Sequence, residues 1–595
     1  MKKRVICAVL AILMLASTAA CGNRAYRPAK GEALPQSPFS VTPAAKATLA
    51  LPFNAVWRLF GGTDTEHCLV YRFGNEPTYY EWMAKKIAWT DDTQYLDELK
   101  AKIISFPQTD NGYLWSWATS VYWPTGKGEL HYDGTLRYVS AVAELLRWTG
   151  DLAFLDETDG DTCGEDRKKD ASEGRTVYEK CRAAMAFAAN EMGGANGVIT
   201  LTQKAACLAD GETRFDQNEA GELVWDNTGL PGSASSNYWD NLCFGHQDAY
   251  ETALYYHALQ DMADIERMRG DPAAAVAYET AAKTVHAAFD KAFWDDEKGR
   301  YIACVDASGT RRDPGLTFLN TEALSYGLGD ETKAARIFSW LDGERTVAGD
   351  TLTGRKIYDY AAVLNRVLGG KTVNRKLYFA PVTNTVRIED VSGTDTPWWY
   401  SLEGAINVGE GGNAAFGRHL ENGGYIFYTV YYELAARAIY KGPADVARRA
   451  KELAKVYRFN GFNSDEGGWA EGLVGEYPEN GLVSRVFVSS LAGVNASADA
   501  LEICPALPSG VKTLGVERLS YRGTPFTAAV GANTLILTAQ TPLRGTLRFR
   551  PQTPGDYTAT LTDETGKTTQ RIFTTDETGF LTLTMDSYTG VSFTK

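Results

Sequence analysis

The sequence predicts a mainly helical fold, in which six helical hairpins form a closed ring, followed by a small antiparallel β domain. The helical part is predicted by about twelve segments with helical periodicity between residues 76 and 500, where strand signals are scarce. The β domain is predicted by short alternating runs of Thr, Val, Leu and Phe after residue 504.

The N-terminus is typical of an export signal. The basic start Lys2-Lys3-Arg4 precedes an apolar run, Val5–Ala16, that is too short to span a bilayer. Small residues then lead to Cys21, in a pattern that resembles a bacterial lipobox. We therefore expect residues 1–21 to be a lipoprotein signal peptide, with Cys21 as the lipidation site and a lipid anchor at the cell membrane or cell surface of a bacterium. Thr18 departs from the usual Leu or Val of that pattern, so cleavage by the ordinary signal peptidase is the alternative.

Composition restricts the partners. Residues 22–45 are rich in Pro, Ala and Ser without periodicity, which predicts a flexible tether. The net charge of −14 argues against nucleic acid as a partner. No cofactor is expected.

Residues 46–503 are predicted to form one helical domain. Segments such as 135–148, 247–268 and 431–439 place apolar residues on one helix face. A helical solenoid would repeat its sequence at a fixed period, and we find no such repeat. Long, unequal connections favour a closed ring, an (α/α)6 toroid, with decorated loops facing one pocket. Further helices are predicted near residues 79–88, 92–103, 174–192, 272–293, 317–326, 331–341, 356–366, 444–457 and 482–495.

Residues 504–595 are predicted to form a small antiparallel β-sandwich. Alternating runs such as Asn533–Gln540 and Gly545–Arg550 are separated by turn pairs that contain Gly. This pattern distinguishes the C-terminal segment from the helical domain before it.

A candidate acid lies where a loop leads into a long helix. Asp240 directly follows Trp239, and an apolar neighbour raises the pKa of a carboxyl group. A glycosidase needs such a protonated carboxyl to donate a proton to the leaving oxygen. The structural alternative is that Asp240 caps the helix. Its distance from the first clearly helical residue favours the acid.

A candidate base lies in a second acidic segment, Asp465–Glu479, which contains neither Lys nor Arg. An inverting glycosidase needs a carboxylate that activates water on the face opposite the acid. Glu476, between Gly and Tyr, is the first candidate. Glu479 is the alternative base, although its position at a helix start also suits interaction with the helix dipole.

Aromatic and polar residues in the same loops predict a sugar site. Sugars present apolar CH faces and fixed hydroxyl groups, which suit aromatic platforms beside Asp, Glu and Asn. Each such residue alone is more often structural, and their co-occurrence carries the prediction. The predicted substrate-binding residues are Trp239, His131, Asp133, Trp398, Trp399, Glu403, Glu410, Asn422 and Trp469.

These motifs resemble the six-hairpin glycosidase superfamily, which includes glucoamylases, α-L-rhamnosidases, trehalases and disaccharide phosphorylases. The resemblance rests on Tyr238-Trp-Asp, Asn422-Gly-Gly and Gly475-Glu-Tyr-Pro-Glu-Asn-Gly-Leu, and it covers roughly residues 50–595. It implies an (α/α)6 barrel that hydrolyses glycosidic bonds. In glucoamylases the acid follows a Trp and the base precedes the last helix, so these roles fall on Asp240 and Glu476. Their placement on separate loops predicts an inverting mechanism.

Three alternatives remain open. A phosphorylase would use an anion site in place of the base, and a polysaccharide lyase would need Tyr, His and Arg around an acidic substrate. A non-catalytic glycan-binding lipoprotein would need the aromatic platforms without the carboxylates. No metal site is expected, because the acidic cluster Asp156–Asp161 lacks the spacing of a full calcium loop.

Overall fold

The structure is a computed structural model. It describes residues 39–41, 81, 84–85, 93–106, 108–114, 132–158, 174–201, 236–239, 242, 244–358, 366–368, 371–373, 381–387, 423, 429–460 and 482–595. Within these residues, no helix has both the length and the apolar character needed to cross a bilayer. The helices are α1 (Thr93–Ile104), α2 (Asp133–Thr149), α3 (Val177–Asn190), α4 (Ala249–Arg269), α5 (Pro272–Phe293), α6 (Thr317–Ser325), α7 (Glu331–Leu341), α8 (Val430–Tyr440), α9 (Pro443–Asn460) and α10 (Val483–Val486), which continues as a π-helix (Phe487–Ala492).

The helices alternate between two degrees of burial. Nearly every residue of α2 and α6 is buried, and so is most of α4. By contrast, α5 buries only one stripe, which includes Ala282, Val285, Phe289 and Phe293. A helix with one apolar stripe faces solvent on its other side, whereas a helix buried all round is covered on both sides. The structure therefore has inner helices and outer helices.

Each inner helix packs against its sequence neighbour in the outer set. The contacting pairs are α2 with α3, α4 with α5, α6 with α7 and α8 with α9. The inner helices also contact one another in the series α2, α4, α6, α8 and α10. Arg485 of α10 pairs with Glu144 of α2 at 2.6 Å, which connects the last inner helix back to the first.

Most of the predicted helices are confirmed, while the segment near 79–88 lies largely outside the described residues. In the segment predicted as a helix near 356–366, the described residues form a short 3-10 helix, Gly354–Tyr358, and a strand that begins at Arg366. The helix predicted near 482–495 ends at Ala492, because Gly493 adopts a left-handed conformation (φ 73°) and leads into a strand. In both places a strand of three residues comes after the helix. Such a short strand shows no clear periodicity in the sequence, so it could not be distinguished from the helix.

The strands are short in the helical part and longer after residue 513. They are β1 (Phe39–Val41), β2 (Gln247–Asp248), β3 (Trp294–Asp295), β4 (Arg300–Tyr301), β5 (Cys304–Val305), β6 (Arg311–Arg312), β7 (Arg366–Leu368), β8 (Lys371–Val373), β9 (Val494–Ala496), β10 (Ala500–Ile503), β11 (Leu514–Tyr521), β12 (Thr524–Gly531), β13 (Thr534–Ala539), β14 (Thr546–Phe549), β15 (Asp556–Asp563), β16 (Thr568–Thr574), β17 (Leu581–Thr584) and β18 (Tyr588–Thr594).

The C-terminal part forms two sheets. Their strand orders are β1-β11-β12-β13-β18-β15-β16 and β17-β14-β10-β9. Phe549 of one sheet and Phe593 of the other stack with ring centroids 5.7 Å apart. One pair differs from the predicted antiparallel arrangement, because β10 and β14 run parallel. The β structure also begins at Val494, ahead of the predicted boundary at residue 504, because β9 and β10 complete the smaller sheet.

The predicted tether contributes to this domain. Phe39–Val41, inside the segment 22–45 that was expected to be flexible, pair antiparallel with β11 in the register Phe39↔Val516 and Val41↔Leu514. This strand has three residues and lies between two prolines, so it is too short to show an alternating pattern in the sequence. Their strand conformation depends on a partner that the chain supplies almost at its other end.

Truncation at the N-terminus tests this strand. In chains that begin after the signal peptide, deletion of residues 22–41 should lower the free energy of unfolding by about 1–3 kcal/mol, because a ladder of backbone hydrogen bonds is lost. The matched control is deletion of residues 22–37, which keeps the strand and should match the longer chain. Urea unfolding compares the three chains. Equal midpoints for all of them would show that the pairing adds no stability.

Candidate active site

The first residues of helices α2 and α4 meet at one buried serine. The backbone N–H of Tyr132, at the start of α2, donates to the carbonyl oxygen of Ser236 (2.9 Å). The hydroxyl of Ser236 donates to Oδ2 of Asp248, the N-cap of α4 (3.0 Å). The N-terminal ends of these two inner helices therefore lie together, beside the segment that leads to Trp239.

Trp239 extends this end of the helices to α6. Its ring stacks on Phe318, in the first turn of α6, with centroids 3.6 Å apart and planes 19° apart. Its backbone N–H donates to Oδ1 of Asn237 (3.0 Å), which fixes the turn. Trp239 is only 1% exposed, so in this structure its ring forms part of a wall rather than an open platform.

Of the residues predicted from sequence to form the site, the structure describes two. Trp239 lies at this end of the inner helices, and Asp133 is the first residue of α2, fully buried, with its Oδ2 3.7 Å from Nε of Arg137. The structure thus places both at the N-terminal ends of inner helices. The other predicted residues lie outside the described residues: Asp240, Glu476, Glu479, His131, Trp398, Trp399, Glu403, Glu410, Asn422, Trp469 and Cys21.

A buried polar network lies one helical turn further along α2. Arg137, which is 1% exposed, donates through Nη1 to Glu81 (2.7 Å) and to the hydroxyl of Tyr432 (3.2 Å). Through Nη2 it donates to the hydroxyl of Tyr250 (2.5 Å) and to Glu322 (2.9 Å). These partners come from the segment around residue 81 and from α4, α6 and α8. One guanidinium therefore joins most of the inner helices.

Burial and neighbouring charge shift the acids of this region in opposite directions. Burial alone would raise the pKa of Glu81, but Lys85 and Arg137 hold it below its ordinary value. At Glu322 burial prevails and raises the pKa, although Arg137 and a hydrogen bond from Tyr326 oppose it. Two buried carboxyls that share one cation thus differ in their affinity for a proton.

At the N-terminal end of α4, burial and hydrogen bonds act in opposite directions on the pKa of Asp248. Burial raises the pKa of its carboxyl to about 7, although hydrogen bonds from the N–H of Glu251 and the hydroxyl of Ser236 act to lower it. Perturbed carboxyls are typical of functional sites. Asp248 is thus a carboxyl group with a perturbed pKa at the N-terminal end of an inner helix.

Arg137 and its partners were not predicted from the sequence. The available signal was a polar stripe on α2, formed by Asp133, Arg137, Ser140 and Glu144 at helical spacing. Such a stripe is usually a solvated face, yet here it is buried because α2 is covered on both sides. Among the described residues, no group of three or more His, Cys, Asp or Glu side chains could hold a metal ion.

Replacing Arg137 tests the weight of this network. Arg137→Met should lower the free energy of unfolding by about 3–5 kcal/mol, because Glu81 and Glu322 lose their shared cation in a buried site. The matched control is Arg267→Met, which removes an ion pair with Asp264 from a side chain that is 44% exposed. That change should cost less than about 1 kcal/mol. Similar losses in urea unfolding of the two variants would contradict a special role for Arg137.

Comparisons with known proteins found similar sequences and structures. Over 179 residues the chain is 26% identical to an N,N'-diacetylchitobiose phosphorylase of Vibrio furnissii. The aligned segment is 30% of this chain and 17% of the phosphorylase. An α-L-rhamnosidase of Streptomyces avermitilis covers 93% of this chain, with 12% identity and a TM-score of 0.45, and 42% of its own length is matched. A mannosylglycerate hydrolase of Thermus thermophilus covers 71% of this chain and is matched over 98% of its own length, with 14% identity and a TM-score of 0.39.

The chain thus spans less than half the length of the phosphorylase and the rhamnosidase that it matches. Residues 107–313, which include Asp133, Trp239 and Asp240, match the family model of the glycosyl hydrolase 94 superfamily catalytic domain. The predicted resemblance to the six-hairpin glycosidase superfamily is therefore confirmed over this segment.

Proposed function

We propose that this protein is a glycoside hydrolase that cleaves a glycan or an oligosaccharide by an inverting mechanism with two carboxylates. The observation that carries the proposal is the convergence of the first turns of α2, α4 and α6 on Ser236–Trp239. This segment directly precedes Asp240 in the sequence and lies inside the range that matches a glycosidase catalytic domain.

The six-hairpin ring is part of the proposal. Inner helices that contact one another in series, with Arg485 and Glu144 connecting the last to the first, support a closed (α/α)6 toroid. The pairing of each inner helix with an outer sequence neighbour supports the hairpin arrangement. In such a ring the loops before the inner helices face one end, where Asp133 and Trp239 lie.

Each predicted residue has a role in the proposed reaction. Asp240, which directly follows the buried Trp239 in the sequence, acts as the acid that protonates the leaving oxygen. Glu476, or alternatively Glu479, removes a proton from the water that attacks the anomeric carbon from the opposite face. The products are the free leaving group and a sugar of inverted configuration, and no covalent intermediate forms.

Phosphorolysis is the second candidate, because the chain resembles a diacetylchitobiose phosphorylase. Phosphate would then replace water and the basic carboxylate, and it would need cations or N–H groups to bind it. The segment 460–481 contains four Glu and neither Lys, Arg nor His, which favours water as the nucleophile. Incubation with and without inorganic phosphate separates the two reactions, since only phosphorolysis produces a sugar phosphate.

Neutral variants of the two carboxyls test the mechanism. Asp240→Asn and Glu476→Gln should each lower the rate of cleavage at least about a hundredfold, as expected on loss of an acid or a base. The substrates are a panel of p-nitrophenyl α- and β-glycosides followed by plant and mucin oligosaccharides. The matched control is Asp271→Asn, which alters the N-cap of the outer helix α5 and should leave the rate unchanged.

The outcomes separate the alternatives. Loss of activity in Glu479→Gln but not in Glu476→Gln would identify Glu479 as the base. Proton NMR of the first-formed sugar reads the stereochemistry before mutarotation, and retained configuration would rule out inversion. A glycan-binding protein without activity would bind its ligand equally well in all variants and cleave nothing.

The proposed location is the membrane or surface of a bacterial cell, through a lipid on Cys21. The sequence before the tether supports this, because the apolar run and the small residues before Cys21 have the order of a lipoprotein signal. An extended glycan outside the cell is then within reach of a domain held on residues 22–38.

Cys21→Ala tests the anchor. The wild-type protein should partition into the detergent phase and the variant into the aqueous phase, because the lipid provides the apolar surface. The control is Cys504→Ala, which alters a half-buried thiol of the C-terminal part and should keep the wild-type partition. If the wild-type protein and Cys21→Ala both partition into the aqueous phase, the protein is secreted without a lipid anchor.

A further inference from the structure

Ser236 is held from two sides at the point where two inner helices begin. Its carbonyl oxygen accepts from the N–H of Tyr132 and its hydroxyl donates to Oδ2 of Asp248. Ser236 and Asp248 are both fully buried, so water does not compete for these hydrogen bonds. The start of the segment Ser236–Trp239 is therefore fixed relative to both α2 and α4.

Asp248 is itself fixed by contacts that do not involve Ser236. Its Oδ1 accepts from the N–H of Glu251 (3.0 Å), its own N–H donates to the carbonyl of Ile199 (3.0 Å), and its carbonyl accepts from the hydroxyl of Thr252 (2.5 Å). One carboxylate oxygen thus caps α4 and the other is directed at Ser236. The cap and the hydrogen bond to Ser236 are separate functions of one side chain.

Capping the N-terminus of α4 does not require a carboxyl group. Asn or Ser caps a helix about as well as Asp, without an ionisable group. Asp248 is instead buried, it faces Asp133 of α2, and its carboxyl group accepts from the backbone N–H groups of Tyr250 and Glu251. Burial of such a group is unfavourable, and what its second oxygen adds over a Ser cap is an acceptor for the hydroxyl of Ser236.

The far end of the segment is equally constrained. Asn237 accepts the N–H of Trp239, and the ring of Trp239 stacks on Phe318 of α6. Four consecutive residues are therefore held at both ends by three inner helices. The residue that follows in the sequence is Asp240, the proposed acid.

We propose that Asp248, acting through Ser236, is a positioning residue that orients the segment Ser236–Trp239, which directly precedes the proposed catalytic acid in the sequence. The inference rests on the proposed function, since it concerns the acid of that reaction. Asp248 and Ser236 do not touch the reacting atoms. Their effect is to hold the backbone before Asp240 in one orientation, and small displacements of an acid from the leaving oxygen lower the rate strongly.

Leaving groups of graded basicity test this role. An acid matters most when the leaving oxygen is basic, so loss of its alignment slows alkyl glycosides and spares 2,4-dinitrophenyl glycosides. We expect Ser236→Ala and Asp248→Ser to lower kcat/KM at least about tenfold for an alkyl glycoside and less than about twofold for the dinitrophenyl glycoside of the same sugar. The variant Asp248→Ser can keep the cap, but it lacks the second oxygen that accepts from Ser236.

Two controls separate positioning from stability. Asp271→Ser changes an N-cap of the same kind on α5, where Oδ1 accepts from the N–H of Ala274 (2.9 Å), and should change neither rate. Urea unfolding of Ser236→Ala measures any loss of stability. A uniform loss of rate across both leaving groups, or no loss at all, would overturn the positioning role.

The same experiment distinguishes failure of the proposed function from failure of the inference about Asp248. Asp240→Asn should show the steepest dependence on the leaving group of all the variants. If it shows none, Asp240 is not the acid and the positioning role falls with it. If Asp240→Asn shows the dependence and Ser236→Ala does not, the proposed function stands and only the inference about Asp248 fails. If the wild-type protein cleaves no glycoside of the panel, both fail.

Discussion

Burial of the guanidinium of Arg137 is the constraint on which the helical part of the structure depends. A charge removed from water costs several kcal/mol unless its partners are placed correctly. Here the partners are Glu81, Tyr250, Glu322 and Tyr432, on four different segments. A shift of any inner helix by one residue would turn its partner away from Arg137. We infer that the network helps to specify the register of the inner helices.

The same arrangement occurs at two other places in the described part of the chain. Arg300 and Arg437 are 1% and 0% exposed, and each joins elements that are distant in sequence. Arg437 also donates to the hydroxyl of Tyr358, so it ties α8 to the 3-10 helix that follows α7. We infer that buried arginines, each shared by several carboxylates, set the relative positions of the hairpins. The carboxylate partners are Asp313 and Asp350 for Arg300, and Asp342, Glu433 and Asp445 for Arg437.

The network around Arg137 also supports the candidate site. Arg137 lies one turn after Asp133 on α2, and Tyr250 lies two residues after Asp248 at the start of α4. A rigid layer of hydrogen bonds thus lies directly beneath the helix ends that hold Ser236 and Trp239. Catalytic groups need support of this kind, because a site is only as well aligned as the residues behind it.

The sequence by itself predicted a mainly helical part, a C-terminal β part and most of the described helix boundaries, and it supplied Asp240 as the acid of the proposed reaction. Helical periodicity is a local property, so α2, α4 and α5 could be predicted from their apolar spacing alone. The motif Tyr238-Trp-Asp carried the superfamily, which the match over residues 107–313 supports. Only the tertiary structure decided that the polar stripe of α2 is buried, and that Asp248 binds Ser236. Whether a polar face meets water or another helix depends on segments far away in sequence, and local patterns carry no information about them. For the same reason Phe39–Val41 look like part of a flexible tether until β11 provides the edge on which they become a strand.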